Sequence, residues 1–281
     1  MTPQTLQTHA STGGRLVSTD GHVLPLRAMR LAARAGGGLA RTRVEQRFTN
    51  PHAEPLHVTY LLPLPADGAV VSFAFTIGER RVVGEIERRE QARERFEQAL
   101  AEGRSAALLE QERASLFTQE LGNVPPGAEV VAELEVDHPL AWLAPQAGEG
   151  GSWEWRFPTT VAPRYLGAEG RVEDAERVRV DVVGGDQPPR LTMALDVLDE
   201  LVPQARPVSP SHALRSAQLE GVVHVAFEDA GRARLDRDVV VRWEVARPEV
   251  GARLETARAA AGPEHARAAH GLLTLVPPRA P

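Results

Sequence analysis

The first half of the chain is dominated by segments in which apolar and polar residues alternate. In Thr42–Thr49, the side chains of Val44, Gln46 and Phe48 fall on one side. In Val130–Val136, every second residue is apolar. Successive side chains of a strand point to opposite faces, so this alternation predicts strands with one buried face. Further β-like segments are Leu56–Leu64, Val70–Ile77, Arg81–Glu85, Ala106–Gln111, Leu116–Leu121, Trp153–Pro158, Val178–Val183, Arg190–Leu198, Val222–Phe227 and Asp238–Val245.

Turn residues divide these segments into short strands. Arg15–Leu26 predicts a hairpin around Asp20-Gly21, whereas the three glycines at 36–38 predict a flexible joint. The 22 prolines and 24 glycines are scattered along the chain, which favours many short strands over long helices. The loop at 144–152 is rich in glycine and polar residues, and it is the predicted boundary between two β units.

One segment has the periodicity of a helix. Between Ile86 and Glu102, Ala92, Phe96 and Leu100 recur at helical spacing, and the other faces carry Glu and Arg. Gly103 is well placed as the residue beyond the helix C-terminus. The sequence therefore predicts one principal helix, with a charged face that is solvated or docks a partner.

The C-terminal part of the sequence is less regular. Thr256–Ala269 is rich in Ala and Arg and fits either a short helix or a linker. Gly271–Val276 reads as one last apolar strand and is followed by two prolines. No internal repeat of the kind that builds solenoids or propellers is present.

Composition limits the partners and the chemistry. The 281-residue chain has a formal net charge of −6, and its 32 basic residues are all arginine. They form no concentrated basic stripe of the kind that binds a phosphate backbone, so no nucleic-acid partner is predicted. The chain has no cysteine, which excludes disulfides, thiol nucleophiles and thiolate metal sites.

The sequence also predicts no membrane segment. Residues 1–14 are polar and lack the apolar core of a signal peptide. No apolar run reaches the roughly 20 residues that span a bilayer. By default, the expected location is the cytoplasm; the sequence leaves the oligomeric state open.

No residue pattern predicts catalysis, a cofactor or a metal. The nine histidines form no metal-binding motif, and no serine lies in a nucleophile elbow. Asp236 and Asp238 can be read as calcium ligands, but their place at the start of a strand favours a turn. Alternation of Trp153, Trp155 and Phe157 favours a buried sheet face over a recognition platform for a partner or a sugar. We therefore predict a protein that is not an enzyme, with no catalytic, cofactor-binding or metal-binding residue.

The segment from about Phe48 to Tyr165 contains six fragments that resemble, in order and spacing, the VIT domain (vault protein inter-alpha-trypsin domain). At the helix position of Phe96 the family often has tyrosine. None of the fragments demands catalysis, so their residues are expected to specify the fold. These family-motif residues are Leu62, Pro63, Glu85, Ala92, Phe96, Gly103, Leu109, Phe117, Gly122, Pro126, Gly127, Pro158, Pro163 and Tyr165.

The resemblance implies a mostly β fold. An antiparallel β-sandwich is expected over 15–145, with one principal α-helix near 86–102, and a second, smaller β-sandwich-like unit is expected over 152–281. In the family, the VIT domain commonly precedes a von Willebrand factor A domain, whose metal site needs Asp-x-Ser-x-Ser. That motif is absent here. The chain is therefore expected to stop before the A domain, either as an excised fragment or as a stand-alone form.

The resemblance also implies a function. It points to a non-catalytic protein-interaction or structural module that supports or positions the adjacent A domain, its protein partner. Two alternatives stay open. One is a hydrolase or carbohydrate-active β protein that uses carboxylates and the Trp153/Trp155 pair, and burial of both tryptophans would exclude such a site. The other is a module that self-assembles through exposed strand edges.

Overall fold

The computed structural model describes residues 11–12, 15–18, 21–84, 98, 107–113, 116–145, 150–161, 189–229, 233, 235–245, 249–258 and 269–279. These residues form an almost entirely β structure, as predicted. The strands are β1 (Ser11–Thr12), β2 (Arg15–Ser18), β3 (Val23–Leu24), β4 (Leu26–Gly36), β5 (Leu39–Thr49), β6 (Leu56–Pro63), β7 (Ala69–Ile77), β8 (Arg80–Val83), β9 (Ala107–Arg113), β10 (Leu116–Val124), β11 (Glu129–Pro139), β12 (Ala141–Leu143), β13 (Ser152–Phe157), β14 (Thr160–Val161), β15 (Arg190–Val197), β16 (Leu214–Leu219), β17 (Val222–Phe227), β18 (Val239–Glu244), β19 (Gly251–Arg258) and β20 (Ala269–Val276).

The largest sheet has eight strands in the order β16-β17-β15-β4-β5-β11-β7-β8. All of its neighbouring strands are antiparallel except β4 and β15, which run parallel. The predicted antiparallel pairing therefore holds for this sheet, with the β4–β15 pair as an exception. A parallel pair requires a crossover connection, and the chain passes through five-stranded and three-stranded sheets between β4 and β15.

The five-stranded sheet, in the order β3-β2-β6-β10-β9, packs on the eight-stranded sheet to form the predicted sandwich. Tyr60 from β6 is fully buried, and its hydroxyl donates to Oε1 of Gln46 on β5 at 2.5 Å. Its ring makes edge contacts with Phe48 and Phe75, at centroid distances of 6.0 and 5.4 Å. Burial raises the pKa of the Tyr60 phenol, so the hydroxyl stays a donor.

A three-stranded sheet, β12-β13-β18, packs on the same inner face of the eight-stranded sheet. Nε1 of Trp155 donates to Oγ1 of Thr42 at 3.1 Å, and Thr42 Oγ1 lies 3.2 Å from Nε2 of His138. Nδ1 of His138 lies 3.3 Å from the carbonyl oxygen of Pro139. A neutral imidazole with its proton on Nδ1 satisfies every partner in this buried chain.

The hydrogen-bonded sheet continues across the predicted domain boundary. Strands β4, β5, β7, β8 and β11 precede the loop at 144–152, whereas β15, β16 and β17 follow it, and all belong to the eight-stranded sheet. One connected cluster of buried side chains also includes residues from both sides, among them Leu31 and Leu195. The division into units at 15–145 and 152–281 stays a prediction.

Two predictions about turns can be compared with the structure. The hairpin around Gly21 is confirmed by the pairing of β2 with β3. Of the three glycines at 36–38, Gly36 ends β4, and Gly37 and Gly38 form the tight turn to β5, with φ values of 61° and 85°. The prediction of a flexible joint there is therefore wrong. Positive φ at both central residues of a two-residue hairpin favours glycine because a Cβ atom is strained in that conformation.

Other predictions concern residues that the structure does not describe, and one is wrong. The helix near 86–102 and the strand Val178–Val183 lie outside the described residues, apart from Gln98, which is helical. Thr256, where a short helix or linker was expected to begin, lies inside β19 instead. Within the described residues, no helix combines the length and the apolar character needed to cross a bilayer.

Candidate interaction site at the C-terminal hairpin

The family-motif residues that the structure describes lie in strands and turns of the sandwich. Leu62 and Pro63 are buried in β6, Gly122 lies in β10, Pro126 and Gly127 form the exposed turn before β11, and Pro158 follows β13. Leu109 and Phe117 belong to β9 and β10. Glu85, Ala92, Phe96, Gly103, Pro163 and Tyr165 lie outside the described residues. The fold-specifying role of this set stays a prediction.

The structure brings two of the resembling fragments together. Asn50 is fully buried after β5, and its side-chain amide donates to the carbonyl oxygens of Val124 at 3.0 Å and Pro125 at 3.1 Å. The backbone N–H of Gly127 in turn donates to the Asn50 carbonyl oxygen at 2.9 Å. These fragments therefore fix a turn, and nothing in their geometry indicates chemistry.

Three of the four tryptophans form one row across the three-stranded sheet. Trp142 lies opposite Trp153, and Trp153 lies opposite Trp243. The rings of Trp142 and Trp153 meet edge to face, with centroids 4.9 Å apart. Gly151 leaves room for this row, because a Cβ atom there would lie 2.1 Å from a Trp142 ring carbon. Sequence reasoning selected Trp153 but missed the row, since its members are far apart in the chain.

The Asp199 carboxylate ties this row to the turn between β4 and β5. Its Oδ2 accepts the indole N–H of Trp243 at 2.9 Å, and its Oδ1 accepts the backbone N–H of Gly37 at 2.8 Å. Nη1 of Arg253, on β19, lies 3.5 Å from the same Oδ1. The Asp199 side chain is only 11% exposed, so its charge needs these donors.

The inner face of the β19–β20 hairpin is anchored to the same turn. Thr274 on β20 donates from Oγ1 to the carbonyl oxygen of Gly37 at 2.5 Å, beside the Arg253–Asp199 ion pair. A Cβ atom on Gly38 would lie 3.4 Å from the Trp153 ring and 3.6 Å from the Thr274 methyl group. The hairpin is therefore held at a defined place on the domain, although β19 and β20 pair only with each other among the described strands.

The outer face of this hairpin is apolar and exposed. We define the leucine face as Ala252, Leu254, Leu273 and Leu275. Leu254 lies opposite Leu273, and Ala252 lies opposite Leu275, so the four side chains are neighbours. The exposed fractions of the three leucines are 67%, 61% and 59%. A compact apolar group held outward on a rigid hairpin is typical of a surface that another protein covers.

The tryptophans and carboxylates on which the hydrolase alternative depends do not form a site in the described residues. Trp153 is 8% exposed and Trp155 and Phe157 are fully buried, so the predicted sheet face is confirmed. Among the described residues, no three or more His, Asp or Glu side chains are gathered as metal ligands. The carboxylate of Asp236 binds Arg237, and that of Asp238 lies 3.4 Å from Arg156.

Part of the chain matches a known protein family. Residues 26–136 match the Vault protein inter-alpha-trypsin domain, VIT. The human protein mono-ADP-ribosyltransferase PARP4 is 28% identical over 194 residues, which are 68% of this chain and 11% of that protein. The human von Willebrand factor A domain-containing protein 5A is 25% identical over 223 residues, 77% of this chain and 27% of that protein.

Among solved structures, an M1 zinc metallopeptidase from Deinococcus radiodurans aligns with a TM-score of 0.39 at 11% identity, covering 89% of this chain and 45% of that one. A score at this level says nothing about function. The chain spans about a tenth to about a quarter of the length of the two human relatives. The VIT resemblance predicted for about Phe48–Tyr165 is confirmed where it overlaps the matched residues 26–136, and the chain is similar to von Willebrand factor A domain-containing proteins.

Proposed function

We propose that this chain is a non-catalytic protein-interaction module that supports an adjacent von Willebrand factor A domain, and that the leucine face is the surface on which that domain rests. The observation that carries the proposal is the exposure of Leu254, Leu273 and Leu275 on the outer side of an anchored hairpin. Full burial of a leucine contributes about 1.5–3 kcal/mol, and these side chains are about two-thirds exposed, so covering each one contributes about 1–2 kcal/mol.

The anchoring gives the hairpin the stiffness that a support needs. An isolated two-stranded hairpin is marginally stable in water. Here Thr274 and Arg253 attach it to Gly37 and Asp199, and Asp199 is in turn held by Trp243. A partner that binds the leucine face therefore meets a surface of fixed orientation, and the hairpin loses little conformational entropy on binding.

The identity of the supported domain comes from the relatives. The human and mouse protein 5A carry a von Willebrand factor A domain in their names, and each is several times longer than the region that matches this chain. The hydrolase alternative loses its main support, because Trp153 and Trp155 pack into the sheet and offer no exposed platform for a sugar.

Reading the coding sequence beyond Pro281 is the first test. An Asp-x-Ser-x-Ser motif downstream supports the proposal, and its absence from the same reading frame contradicts it. The longer protein then allows a second test by hydrogen–deuterium exchange. We expect peptides from β19 and β20 to be more protected in the longer protein than in the chain of 281 residues.

Variants make this second test specific. In the longer protein, Leu254→Ser with Leu273→Ser should remove the additional protection of the hairpin. Leu219→Ser is a matched control, because Leu219 is 62% exposed but lies on β16. Equal protection in both variants would mean that the A domain rests elsewhere.

A further inference from the structure

A second exposed surface lies on the outer face of the eight-stranded sheet, at the end formed by β16, β17, β15 and β4. Ala226 on β17 lies opposite Ala194 on β15, and Ala194 lies opposite Ala32 on β4. The three side chains form one row on the face that points away from the core. We define the alanine–arginine face as this row together with Arg30, Arg34, Arg190 and Arg215.

The alanine row makes a flat floor. Adjacent strands are about 4.8 Å apart, so three alanines cover about 10 Å without a projecting side chain. Alanine is depleted in strands, and threonine or valine at Ala194, which is exposed, would favour the sheet more. Strand stability therefore does not explain the row, whereas close approach of another polypeptide does.

Four exposed arginines frame the floor. Arg30 and Arg34 lie two residues on either side of Ala32, about 13 Å apart along β4 by the rise of a strand. Arg215 lies opposite Ala226 at one end of the row. Arg190, at the start of β15, extends the frame on the side of Arg30. Within the described residues, none of the four has a carboxylate within ion-pair distance.

The neighbouring strand shows how arginines on this sheet are otherwise neutralised. On β5, Arg41 binds Asp137 at 2.7 Å, Arg43 binds Glu133 at 2.5 Å and Arg47 binds Glu45 at 2.9 Å. Two acidic residues are cross-strand neighbours of the frame, Asp196 opposite Arg34 and Glu45 opposite Arg30. Both carboxylates have other partners, since Asp196 meets Nδ1 of His224 at 2.8 Å and Glu45 binds Arg47 at 2.9 Å. A positive surface thus persists on a chain whose net charge is −6.

We propose that the alanine–arginine face binds an acidic segment of a partner protein. The backbone of that segment lies on the alanine floor, and its carboxylates pair with the guanidinium groups of the frame. Guanidinium forms two parallel hydrogen bonds with a carboxylate, which gives orientation as well as attraction. This surface is separate from the leucine face, so the proposal does not depend on the A domain.

The test uses a fluorescein-labelled peptide of alternating Glu and Ala, with fluorescence anisotropy at low and physiological ionic strength. We expect saturable binding that weakens as salt screens the charges. Arg34→Glu should weaken binding at least about fivefold, and Arg30→Glu with Arg34→Glu at least about tenfold, because each reversal replaces an attraction by a repulsion. Arg258→Glu is the matched control: Arg258 is exposed on β19, and its change should alter affinity less than about twofold.

A second variant tests the floor without changing charge. Ala194→Tyr adds a side chain that favours strands, so the free energy of unfolding should not fall, but the peptide should bind several-fold more weakly. Equal effects of Arg34→Glu and Arg258→Glu would overturn the proposal, as would unchanged binding by Ala194→Tyr. Tighter binding of a single-stranded oligonucleotide of equal charge than of the peptide would also overturn it.

Discussion

The carboxylate of Asp199 joins the indole N–H of Trp243 to the backbone N–H of Gly37, at 2.9 and 2.8 Å. Gly37 and Asp199 are 162 residues apart in sequence. Through this one side chain, the first tight turn of the eight-stranded sheet, the row of tryptophans and the C-terminal hairpin share a single anchor.

Asp199→Asn is expected to weaken that anchor. An asparagine side chain has one acceptor oxygen, so its NH₂ group must face either the Trp243 or the Gly37 donor. Loss of one nearly buried hydrogen bond to a charged group should lower the free energy of unfolding by about 1.5–3 kcal/mol, measured by urea denaturation. Asp229→Asn is the control, since Asp229 is exposed. Equal stability of the two variants would show that the hydrogen bonds of Asp199 do not stabilise the fold.

Gly37→Ala is expected to destabilise more than Gly78→Ala. Both glycines have positive φ, 61° and 58°, so the backbone strain of an added Cβ is about the same, roughly 1–2 kcal/mol. The surroundings differ. A Cβ at Gly37 would lie 3.1 Å from Cδ of Arg253, whereas nothing lies within 4 Å at Gly78.

The difference between these two variants in denaturant midpoint therefore reports crowding at the hairpin anchor. We expect the additional loss at Gly37 to disappear in an Arg253→Ala background, because the crowded side chain is then absent. An additional loss that persists in that background would assign the effect to the turn itself.

Acidification should destabilise the protein through His138. Burial lowers the pKa of this imidazole below its ordinary 6.5, because the charged form is poorly solvated at the junction of the two sheets. The unfolded chain then binds the proton more readily than the folded one. The neutral form's contribution is fully present above pH 6.5 and is lost as the pH falls below that value toward the folded pKa.

Urea denaturation at a series of pH values checks this expectation. His138→Gln should remove the part of the pH dependence that lies just below the ordinary histidine range. The part at lower pH should remain, since Arg81 and Arg43 lower the pKa of Glu133 by hydrogen bonds and charge, and that carboxylate titrates later. An unchanged pH profile in His138→Gln would contradict the assignment.

Gln119→Met should stabilise the protein. Gln119 is fully buried in β10, and neither its amide nitrogen nor its amide oxygen has a hydrogen-bond partner among the residues that the structure describes. A methionine of similar length removes two unsatisfied polar atoms, so the free energy of unfolding should rise by about 1–3 kcal/mol.

Gln46→Met provides the matched contrast. Gln46 is also fully buried, but its Oε1 accepts the Tyr60 hydroxyl at 2.5 Å. Removal of this acceptor leaves a buried hydroxyl unpaired and should lower the free energy of unfolding. Thermal or urea unfolding of the two variants separates the cases, and a loss of stability in both would mean that Gln119 has a partner in solution.

Much of the fold could be predicted from local patterns in the sequence. The alternation in Val130–Val136 identified the buried residues of β11, including Val130 and Val136, because the period of a strand is a local property. By contrast, β4 was missed. Its Leu26–Gly36 stretch mixes Ala, Arg and Leu, which favour a helix in isolation, and only pairing with β5 and β15 makes it a strand.

The two candidate interaction surfaces could not be predicted from local sequence patterns. The leucine face depends on Leu254 lying opposite Leu273, and the alanine–arginine face depends on the parallel register of β4 with β15. Neither register has a local signal. Gly271–Val276 was predicted as an apolar strand, but which leucines face outward followed only from the anchoring of Thr274 on Gly37.

The sequence by itself determined that the chain is a β protein without cysteine or a catalytic motif, with a VIT-like region in its first half, because composition and strand period are local. The tertiary structure decided which surfaces remain for partners. Exposure is what remains after distant strands have paired, and the meeting of Asp199 with Gly37 and of Ala194 with Ala32 is set by the balance of burial and hydrogen bonding over the whole fold.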